Sequence, residues 1–540
     1  MPRLTIDGRT VEVEAGTNLI EAAAAAGVQI PHYCYHPRLS IVGQCRMCLV
    51  KIEGMPKLQT GCTTQVMKDG MVVLVDDDEV RAAQEGIMEF LLINHPLDCP
   101  ICDQAGECGL QDYSFKHGQA FSRFEYAEKR TYSGKERIPL GSEVVLNMNR
   151  CIQCTRCVRF TEEISRTGEL GLFQRGARTE IGVFPGKELS NELSTCVVDI
   201  CPVGALTSTR FRFAERVWNL DKIPSLCSGC DVGCNITIEH RRGVVRRYKP
   251  RTNPAVNDHW MCDFGRSTFG RSAGSRLTVP TVIRDDGRRA AVSWKEALDA
   301  AIERLGRAEA EEIAILATGC VTTEEAFLLS RLAEALGTTN KSVLREVDRK
   351  REIPNPVGGV SGDEATPNRR GAELAGLHPG DQRLRADELV ERDGASQCRV
   401  LVIADGDPGS RLHAPEVVER LRRSSSLIVI GWADSPLAAV ADIVLPAASH
   451  VERDGTFVNS QYRLQRANKA FPSPTGVRSS LAIVGELLGS FKEDWSGLNE
   501  QAVFARLAEH VGAFSGLTFD TIPAEGIGLQ MVAGGAPDSA

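Results

Sequence analysis

The sequence predicts a multidomain protein in which an α+β half precedes an α/β half. Its 540 residues suffice for about three to four domains of ordinary size. Of the 18 cysteines, 16 lie at or before Cys262, so cysteine chemistry belongs to the first half. After about residue 276, apolar β-branched runs alternate with helical patterns, which indicates strand–helix–strand units and a parallel sheet.

Composition and charge narrow the class of protein. With 42% hydrophobic and 25% charged residues, the chain is neither disordered nor fibrous. The net charge of −8 argues against bulk affinity for nucleic acids. The N-terminus lacks the pattern of a secretory signal, and no apolar run is long enough to span a membrane. We therefore expect a reducing compartment, where closely spaced cysteines bind metals more often than they form disulfides.

The first 94 residues predict a small α+β domain, to about residue 78, and then a helix. Alternating residues around Asp7-Gly8 predict a hairpin within residues 1–20. A helix follows from Thr17, its expected N-cap, to Gly27, and a strand spans Met47 to Glu53. An amphipathic helix is predicted for residues 79–94, ended by His95-Pro96, with a packed stripe of Val80, Ala83, Ile87, Phe90 and Leu91.

The second half carries the α/β pattern. We predict a long loop over residues 352–382 and a loose tail over the last 30 residues, since both are rich in glycine and proline. The predicted helices span Ala291 to Leu305, Thr323 to Leu336 and Val417 to Arg423, and the predicted strands span Val400 to Ala404 and Leu427 to Ile430.

Four groups of residues carry the candidate metal chemistry, and we call them the first to fourth cages. The first cage is Cys34, Cys45, Cys48 and Cys62, and four thiolates from one domain suit a [2Fe–2S] cluster or a tetrahedral zinc. The short loop from Gly43 to Cys48 can turn backbone N–H groups toward the sulfurs. Such hydrogen bonds raise a reduction potential, which favours an electron carrier.

The second cage is His95, Cys99, Cys102 and Cys108. A set of three cysteines and one histidine occurs in structural zinc sites as well, so the spacing leaves both metals open.

The third cage has the most specific pattern in the chain. Cys151, Cys154 and Cys157 follow one another at two-residue gaps, and Cys201-Pro202 lies downstream. This is the ligand pattern of a [4Fe–4S] cluster in bacterial ferredoxins. Because no second motif of this kind lies nearby, we assign Cys201 to the same cluster.

The fourth cage is Cys227, Cys230, Cys234 and Cys262, for which a [4Fe–4S] cluster is favoured over zinc. The leftover cysteines, Cys196, Cys320 and Cys398, are expected to be small buried hydrophobic residues.

In this order, the four cages resemble those of the large iron–sulfur subunit in the soluble arm of bacterial NADH–quinone oxidoreductase, respiratory complex I. The segments NHPLDCPICDQAGECGLQD, NRCIQCTRCVRF and VVDICPVGALTS carry the resemblance, which covers residues 1 to about 275. It implies one [2Fe–2S] cluster in the first cage and [4Fe–4S] clusters in the other three, with His95 as a ligand. Only some bacterial members have the fourth cluster, which lies off the main electron path.

The resemblance also implies a division into domains. The implied domains are a β-grasp ferredoxin-like [2Fe–2S] domain (1–78), a helical His-Cys₃ [4Fe–4S] domain (79–118), a ferredoxin-like [4Fe–4S] domain (119–215) and a molybdopterin-oxidoreductase-type [4Fe–4S] domain (216–275).

Residues 276–490 resemble a molybdopterin oxidoreductase domain, here truncated and degenerate. Catalytic members carry a cysteine, selenocysteine or serine ligand to molybdenum, and residues 341–351 offer only Ser342. They also carry a lysine beside the last cluster cysteine, which is absent around Cys262. We therefore expect no molybdopterin. Residues 491–540 are expected to form a C-terminal helix and a loose tail.

The expected function is electron transfer within a proton-translocating NADH:quinone oxidoreductase. By the resemblance, electrons come from the NADH/FMN flavoprotein subunit and its small [2Fe–2S] partner. They leave toward a ferredoxin-like subunit and the quinone-site subunits. Because the sequence has no GxGxxG or Walker A motif, no NADH, flavin or phosphate-transfer site is expected on this chain. The resemblance implies a peripheral position at the cytoplasmic face of the bacterial inner membrane.

Three other functions compete with this one. They are the α subunit of an NAD-linked molybdenum formate dehydrogenase, a non-redox zinc scaffold and an [FeFe]-hydrogenase. The last needs a further cysteine motif, which the sequence after Cys262 lacks. The basic run from His240 to Thr252 is interpreted as a solvated hairpin. The alternatives are a contact to an acidic partner subunit, or positive charge that raises the potential of a nearby cluster. His32, His36 and His450 are not expected to be ligands.

Overall fold

The computed structural model describes residues 1–346, 364–378, 386–392, 394–406, 409–492 and 495–530. The chain forms two compact units, Met1–Leu220 and Asp221–Ala540. The fold is the predicted combination of α+β and α/β domains.

The N-terminal unit begins with a mixed five-stranded sheet that packs on one helix. The strand order is β2-β1-β5-β3-β4, and the central pair β1 and β5 is parallel. The predicted hairpin and helix are confirmed, but Asn18 and not Thr17 caps the helix, because the Asn18 side chain accepts the Glu21 N–H at 3.1 Å. The elements are β1 (Arg3–Ile6), β2 (Arg9–Glu12), α1 (Leu19–Ala25), β3 (Leu49–Ile52), β4 (Gln59–Thr60) and β5 (Met71–Leu74).

Helix α2 (Asp78–Leu92) confirms the predicted helix but not its predicted stripe. Val80, Gln84 and Met88 are its buried residues, whereas Phe90 is 79% exposed. Residues four apart share one face of a helix, so the packed face is rotated toward Gln84 and Met88. The apolar pattern predicted a different packed face, because it treats glutamine as an exposed residue, whereas Gln84 is buried.

The rest of the N-terminal unit consists of short elements between cysteines. Strands β10, β7 and β6 form one small antiparallel sheet, and β8 pairs with β9. The elements are α3 (Gly109–His117), β6 (Ile138–Pro139), β7 (Val144–Leu146), α4 (Arg156–Glu163), β8 (Leu170–Phe173), β9 (Glu180–Val183), α5 (Cys196–Ile200) and β10 (Leu206–Ser208).

The second unit opens with an antiparallel sheet of β11 (Asp221–Leu226), β12 (Asn235–Arg241) and β13 (Val244–Pro250). The basic run forms the β12–β13 hairpin, as predicted. The short helix α6 (Asp263–Ser267) follows.

A larger sheet dominates the second unit. Among the described residues it has seven strands in the order β15-β14-β20-β19-β18-β16-β17, and β17, β16, β18, β19 and β20 run parallel. The parallel strands are almost wholly buried because helices cover both faces. The elements are β14 (Thr281–Ile283), β15 (Arg289–Ala291), α7 (Trp294–Gly306), β16 (Ile313–Thr318), α8 (Thr323–Ala335), β17 (Lys341–Leu344), α9 (Arg369–Leu374), α10 (Ala386–Glu391), β18 (Val400–Asp405), α11 (Pro415–Leu421), β19 (Ser426–Gly431), α12 (Pro436–Val440) and β20 (Ile443–Pro446).

Two predictions of irregular structure are wrong in part. Residues 364–378 of the predicted loop contain α9, while 352–363 and 379–382 lie outside the described residues. The predicted tail is packed as far as residue 530: Phe514 and Phe519 are buried against Phe504, and β23 pairs with β22. Burial of these aromatic side chains stabilises the segment, although it is rich in glycine. The last elements are β21 (Gly455–Val458), β22 (Arg463–Ala467), α13 (Ser480–Gly489), α14 (Glu500–His510) and β23 (Ile527–Gly528).

Candidate metal-cluster sites

The first cage lies at one end of the five-stranded sheet. Cys48 precedes β3 and Cys62 follows β4, so strand pairing brings these two together. The thiols of Cys34 and Cys45 are hydrogen-bonded, and this lowers the pKa of Cys34 to about 5. The Cys34 backbone N–H donates to the Cys45 sulfur at 3.5 Å, which is a contact of the kind expected for an electron carrier.

The second cage is spread over the loop between α2 and α3. Cys108 is the N-cap of α3, and Cys102 and Cys108 are largely buried while Cys99 is exposed. Burial, with Lys129 and Arg150 nearby, lowers the pKa of His95 to about 4. The imidazole is therefore neutral at pH 7, the form that binds a metal.

Arg150 connects the histidine and cysteine sides of this cage. Its positive charge acts on both His95 and Cys102. The guanidinium is 5% exposed and pairs with Asp98 at 2.9 Å. A fixed cation beside the cage favours extra negative charge within it, and so favours its reduced form.

The third cage surrounds a cavity that its four cysteines line together. Two left-handed residues, Gln153 (φ 55°) and Thr155 (φ 60°), bend the chain so that the cysteines on either side face inward. The Gln153 N–H donates to the Cys151 sulfur at 3.3 Å. Burial raises the pKa of all four thiols, so their ionisation needs a compensating positive charge such as iron supplies.

The fourth cage joins β11, β12 and α6. Cys227 follows β11 and Cys234 precedes β12, and their backbones are bonded at 2.9 Å. Cys262 caps α6, and its sulfur accepts the Gly265 N–H at 3.3 Å. A Cβ on Gly265 would lie 2.9 Å from the Cys227 sulfur, so glycine makes the room that the sulfurs occupy. Burial raises the pKa of Cys230 and Cys234.

The residues present thus fit iron–sulfur clusters, by donor type, enclosure and N–H···S hydrogen bonds. Among the described residues, no group of three or more His, Cys, Asp or Glu side chains is arranged to hold a single metal ion. The predicted burial of Cys196, Cys320 and Cys398 is confirmed, at 0%, 4% and 2% exposure.

The histidines left unassigned make other contacts. The Nδ1 atom of His32 lies 2.9 Å from the Ile30 carbonyl, and His36 accepts the Arg38 N–H at 3.2 Å. His450 bonds to the Tyr248 hydroxyl at 2.8 Å.

Within the N-terminal unit, the first and third cages touch. The Gln44 side chain donates to the Gln153 carbonyl at 2.7 Å, and the Ser40 N–H donates to Glu163 at 2.8 Å. Arg159 donates to the Cys34 carbonyl at 2.6 Å and to the Cys154 carbonyl at 3.2 Å. Sequence analysis missed these links, although both arginines of α4 stand inside the NRCIQCTRCVRF segment.

The second and third cages also touch, through the turn after Cys201. The Gly109 N–H donates to the Pro202 carbonyl at 3.1 Å. A Cβ on Gly204 would overlap the Cys102 sulfur, so this turn fits against the second cage only as glycine. A further link joins the first and second cages, since the buried Tyr33 hydroxyl reaches the Gly109 carbonyl at 3.4 Å.

Three paired carboxylates lie near the carboxyl ends of the parallel strands in the residues described. Parallel α/β sheets bind ligands at the carboxyl ends of their strands. Here those ends carry three carboxylates: Glu346, Glu364 and Asp405. Glu346 accepts the Arg411 N–H at 3.2 Å, Glu364 pairs with Arg369 at 2.9 Å, and Asp405 lies 3.1 Å from His413.

The folds and cages together define an iron–sulfur oxidoreductase protein of several ferredoxin-type domains. Matching family models are described as 2Fe-2S iron-sulfur cluster binding domain (2–78), NADH-ubiquinone oxidoreductase-G iron-sulfur binding region (84–123), NADH-quinone oxidoreductase subunit 3, ferredoxin-like domain (141–207), NADH-ubiquinone oxidoreductase NDSU1/NuoG-like, 4Fe-4S domain (222–269) and Molybdopterin oxidoreductase (276–367 and 368–490).

The chain belongs to the family of the G subunit of NADH-quinone oxidoreductase. The relative of that name from Rickettsia felis is 33% identical over 623 aligned positions, which cover 96% of this chain and 92% of the relative. The 78 kDa subunit of mitochondrial NADH-ubiquinone oxidoreductase from Neurospora crassa is 44% identical over 62% of this chain and 45% of its own. A solved structure of an NAD⁺-reducing [NiFe]-hydrogenase in the H₂-reduced state has a TM-score of 0.36 and 28% identity, covering 40% of this chain and 91% of that chain.

Proposed function

We propose that this chain carries electrons through four iron–sulfur clusters in an NADH:quinone oxidoreductase. Membership of the G-subunit family and the iron–sulfur domains make it an iron–sulfur electron-transfer subunit. The number of clusters and their ligands are the proposal. The observation that carries it is the third cage, in which four cysteines surround one cavity and whose chain segments are hydrogen-bonded to those of the other two cages of the unit.

Each cage holds one cluster in this proposal. The first cage, Cys34, Cys45, Cys48 and Cys62, holds [2Fe–2S]. The other three hold [4Fe–4S], with the ligands His95, Cys99, Cys102 and Cys108; Cys151, Cys154, Cys157 and Cys201; and Cys227, Cys230, Cys234 and Cys262. When bound, such clusters accept and release single electrons. A neutral histidine in place of a thiolate makes the second cage less negative, which raises its reduction potential.

The order of transfer is first cage, third cage, then second cage. The contacts of Arg159 support the first step, and the Pro202–Gly109 hydrogen bond supports the second. The fourth cage lies off this path, as in the family it resembles. Tyr33 makes a direct contact between the first and second cages. The position of the third cage in the order of electron transfer therefore requires a test.

The partners follow from the resemblance and remain proposals. Electrons enter from an NADH- and FMN-binding flavoprotein subunit with its small [2Fe–2S] partner. They leave to a ferredoxin-like subunit and the subunits that form the quinone site. Proton translocation belongs to the whole complex, which holds this chain peripherally at the cytoplasmic face of the membrane. No helix among the described residues combines the length and the hydrophobicity that a membrane span requires.

Electron paramagnetic resonance on the purified, reduced complex tests the proposal. Among the signals of the complex, we expect one [2Fe–2S] and three [4Fe–4S] signals from this chain, which disappear one at a time when Cys45, Cys102, Cys154 or Cys230 is changed to alanine. Cys398→Ala is the matched control, since this buried cysteine lies outside the cages. Zinc without iron, and no signal on reduction, would favour the zinc scaffold. Molybdenum in the purified protein would favour the formate dehydrogenase.

A further inference from the structure

Arg159 of α4 ties the first cage to the third. Its side chain is buried and donates to the carbonyls of Cys34 at 2.6 Å, Ser40 at 2.5 Å and Cys154 at 3.2 Å. Two of these carbonyls belong to residues whose thiols are proposed ligands, one in each cage. All three nitrogens of this planar guanidinium donate hydrogen bonds, so it has little freedom to move and fixes the spacing of the two segments.

Arg156, one turn earlier on the same helix, makes a second bridge and leaves its Nε without a hydrogen-bond partner among the described residues. Its terminal nitrogens donate to the Tyr35 carbonyl, beside the first cage, and to the Ile200 carbonyl at 3.2 Å, beside the third. Arg156 also lines the cavity that the third-cage cysteines surround. Across the part of the chain that is described, its Nε is among the buried side-chain nitrogens without a hydrogen-bond partner.

A buried guanidinium bonded to neutral carbonyls needs a negative charge nearby. For Arg156 the groups that can supply this charge are the thiols of both cages once they are ionised: Cys34, Cys45, Cys154 and Cys201. An unused N–H next to a cavity lined by thiols is placed to donate to sulfur when a cluster fills the cavity. Both effects stabilise added negative charge there and so raise a reduction potential.

We propose that Arg156 and Arg159 are positioning residues for electron transfer between the first and third cages, and that Arg156 also raises the reduction potential of the third. This inference rests on the proposed cluster assignment. In the step concerned, one electron leaves the reduced [2Fe–2S] group, which is oxidised, and reduces the [4Fe–4S] group. No bond breaks, and no proton moves.

Redox titration of the assembled complex, followed by electron paramagnetic resonance, tests Arg156. In Arg156→Met we expect the equilibrium constant for reducing the third-cage cluster to fall about tenfold, or about 59 mV for one electron. Arg156→Lys keeps the charge and should stay close to wild type. Arg210→Met is the matched control, because Arg210 pairs with Glu143 at the surface of the same unit.

Two results would overturn the role of Arg156 in setting the potential. One is an unshifted potential in Arg156→Met with its iron intact. The other is loss of third-cage iron in Arg156→Met but not in Arg156→Lys, which would make the residue structural. Absence of the third-cage signal from the wild-type complex would contradict the proposed function itself, and this inference with it. A normal wild-type signal means that the results above bear on Arg156 alone.

Rapid freeze-quench spectroscopy tests Arg159. After mixing with NADH, we expect transfer from the first to the third cage to slow by about tenfold or more in Arg159→Met, since small displacements of reacting groups cost this much. Arg159→Lys should recover part of the rate. Equal transfer rates in Arg159→Met and wild type, with iron content unchanged, would overturn the positioning role. Loss of either signal in Arg159→Met with full recovery in Arg159→Lys would reduce Arg159 to a structural residue.

Discussion

The third and fourth cages have the same kind of ligands in different surroundings. Burial raises the pKa of all four thiols in the third cage and of Cys230 and Cys234 in the fourth, and in both cages a backbone N–H donates to a sulfur. The neighbours of the third cage are the segments that carry the first and second cages. Those of the fourth include amides from the sheet of β21 and β22: Asn235 donates to Gln465 at 2.6 Å, and Asn459 donates to the Val232 carbonyl at 3.1 Å.

This difference teaches that ligand spacing does not reveal the role of a cluster. In the proposed function, the third cage exchanges electrons with its neighbours in the unit. The fourth is built into the packing of the α/β region. If this contrast holds, substitutions near the third cage should impair electron transfer, and substitutions near the fourth should impair stability instead.

Removing one ligand from the third cage and one from the fourth should distinguish an electron-transfer role from a structural role most clearly. Cys154→Ala should lower NADH-to-quinone activity by more than about 100-fold, because the third cage would lose its cluster. Cys230→Ala should leave most of the activity while removing one [4Fe–4S] signal. For both variants, the NADH-to-quinone activity and the iron content of the membrane-bound complex are measured. Substantial activity in Cys154→Ala would mean that electrons pass by way of Tyr33, and equal losses in both variants would show that the fourth cage lies on the path.

Adding one methyl group at Gly204 should disturb the second and third cages together. In Gly204→Ala the new Cβ would overlap the Cys102 sulfur and lie 3.1 Å from the Gln104 Cβ. We expect activity to fall by about tenfold or more, with altered signals from both cages. Gly86→Ala is the control, since a Cβ at that helical position meets nothing within 4 Å and alanine favours a helix. Normal spectra in Gly204→Ala would show that the two cages are not in close contact.

Breaking a buried ion pair should weaken the α/β region and the fourth cage while the third survives. Arg453 pairs with Glu325 at 2.9 Å, with both side chains at most 4% exposed. Arg453→Met should cost about 3–5 kcal/mol in the free energy of unfolding, because it leaves a buried carboxylate unpaired. Arg284→Met, which breaks an exposed pair with Glu296, should cost less than about 1 kcal/mol.

Urea unfolding of the purified chain gives these free energies, and metal analysis with spectroscopy gives cage occupancy. Loss of the third-cage signal in Arg453→Met, at a urea concentration where the second unit alone unfolds, would contradict the separation of the two cages.

A buried carboxyl should make the stability of the α/β region depend on pH. Burial raises the pKa of Glu324 from 4.5 to about 7, although Thr456 donates to it through its N–H and hydroxyl. The folded state therefore holds this proton more tightly than the unfolded state. The stabilisation is complete below pH 4.5 and is lost as the pH rises through 7, by about 3 kcal/mol at most. Glu324→Gln should flatten this part of the pH profile in urea titrations; a wild-type profile without the slope would refute the assignment.

The sequence by itself determined the proposed ligand sets, because cluster ligands come as short cysteine spacings that local chain geometry dictates. It also determined the strands and helices with strong periodicity, such as β18, β19 and α8. Only the tertiary structure decided which face of α2 is packed and that residues 511–530 are anchored. It also decided which cages meet, since Arg159 reaches Cys34 across 125 residues of chain. The physical reason is that periodicity records the solvent exposure of each segment, whereas contacts between cages depend on where distant segments come to lie.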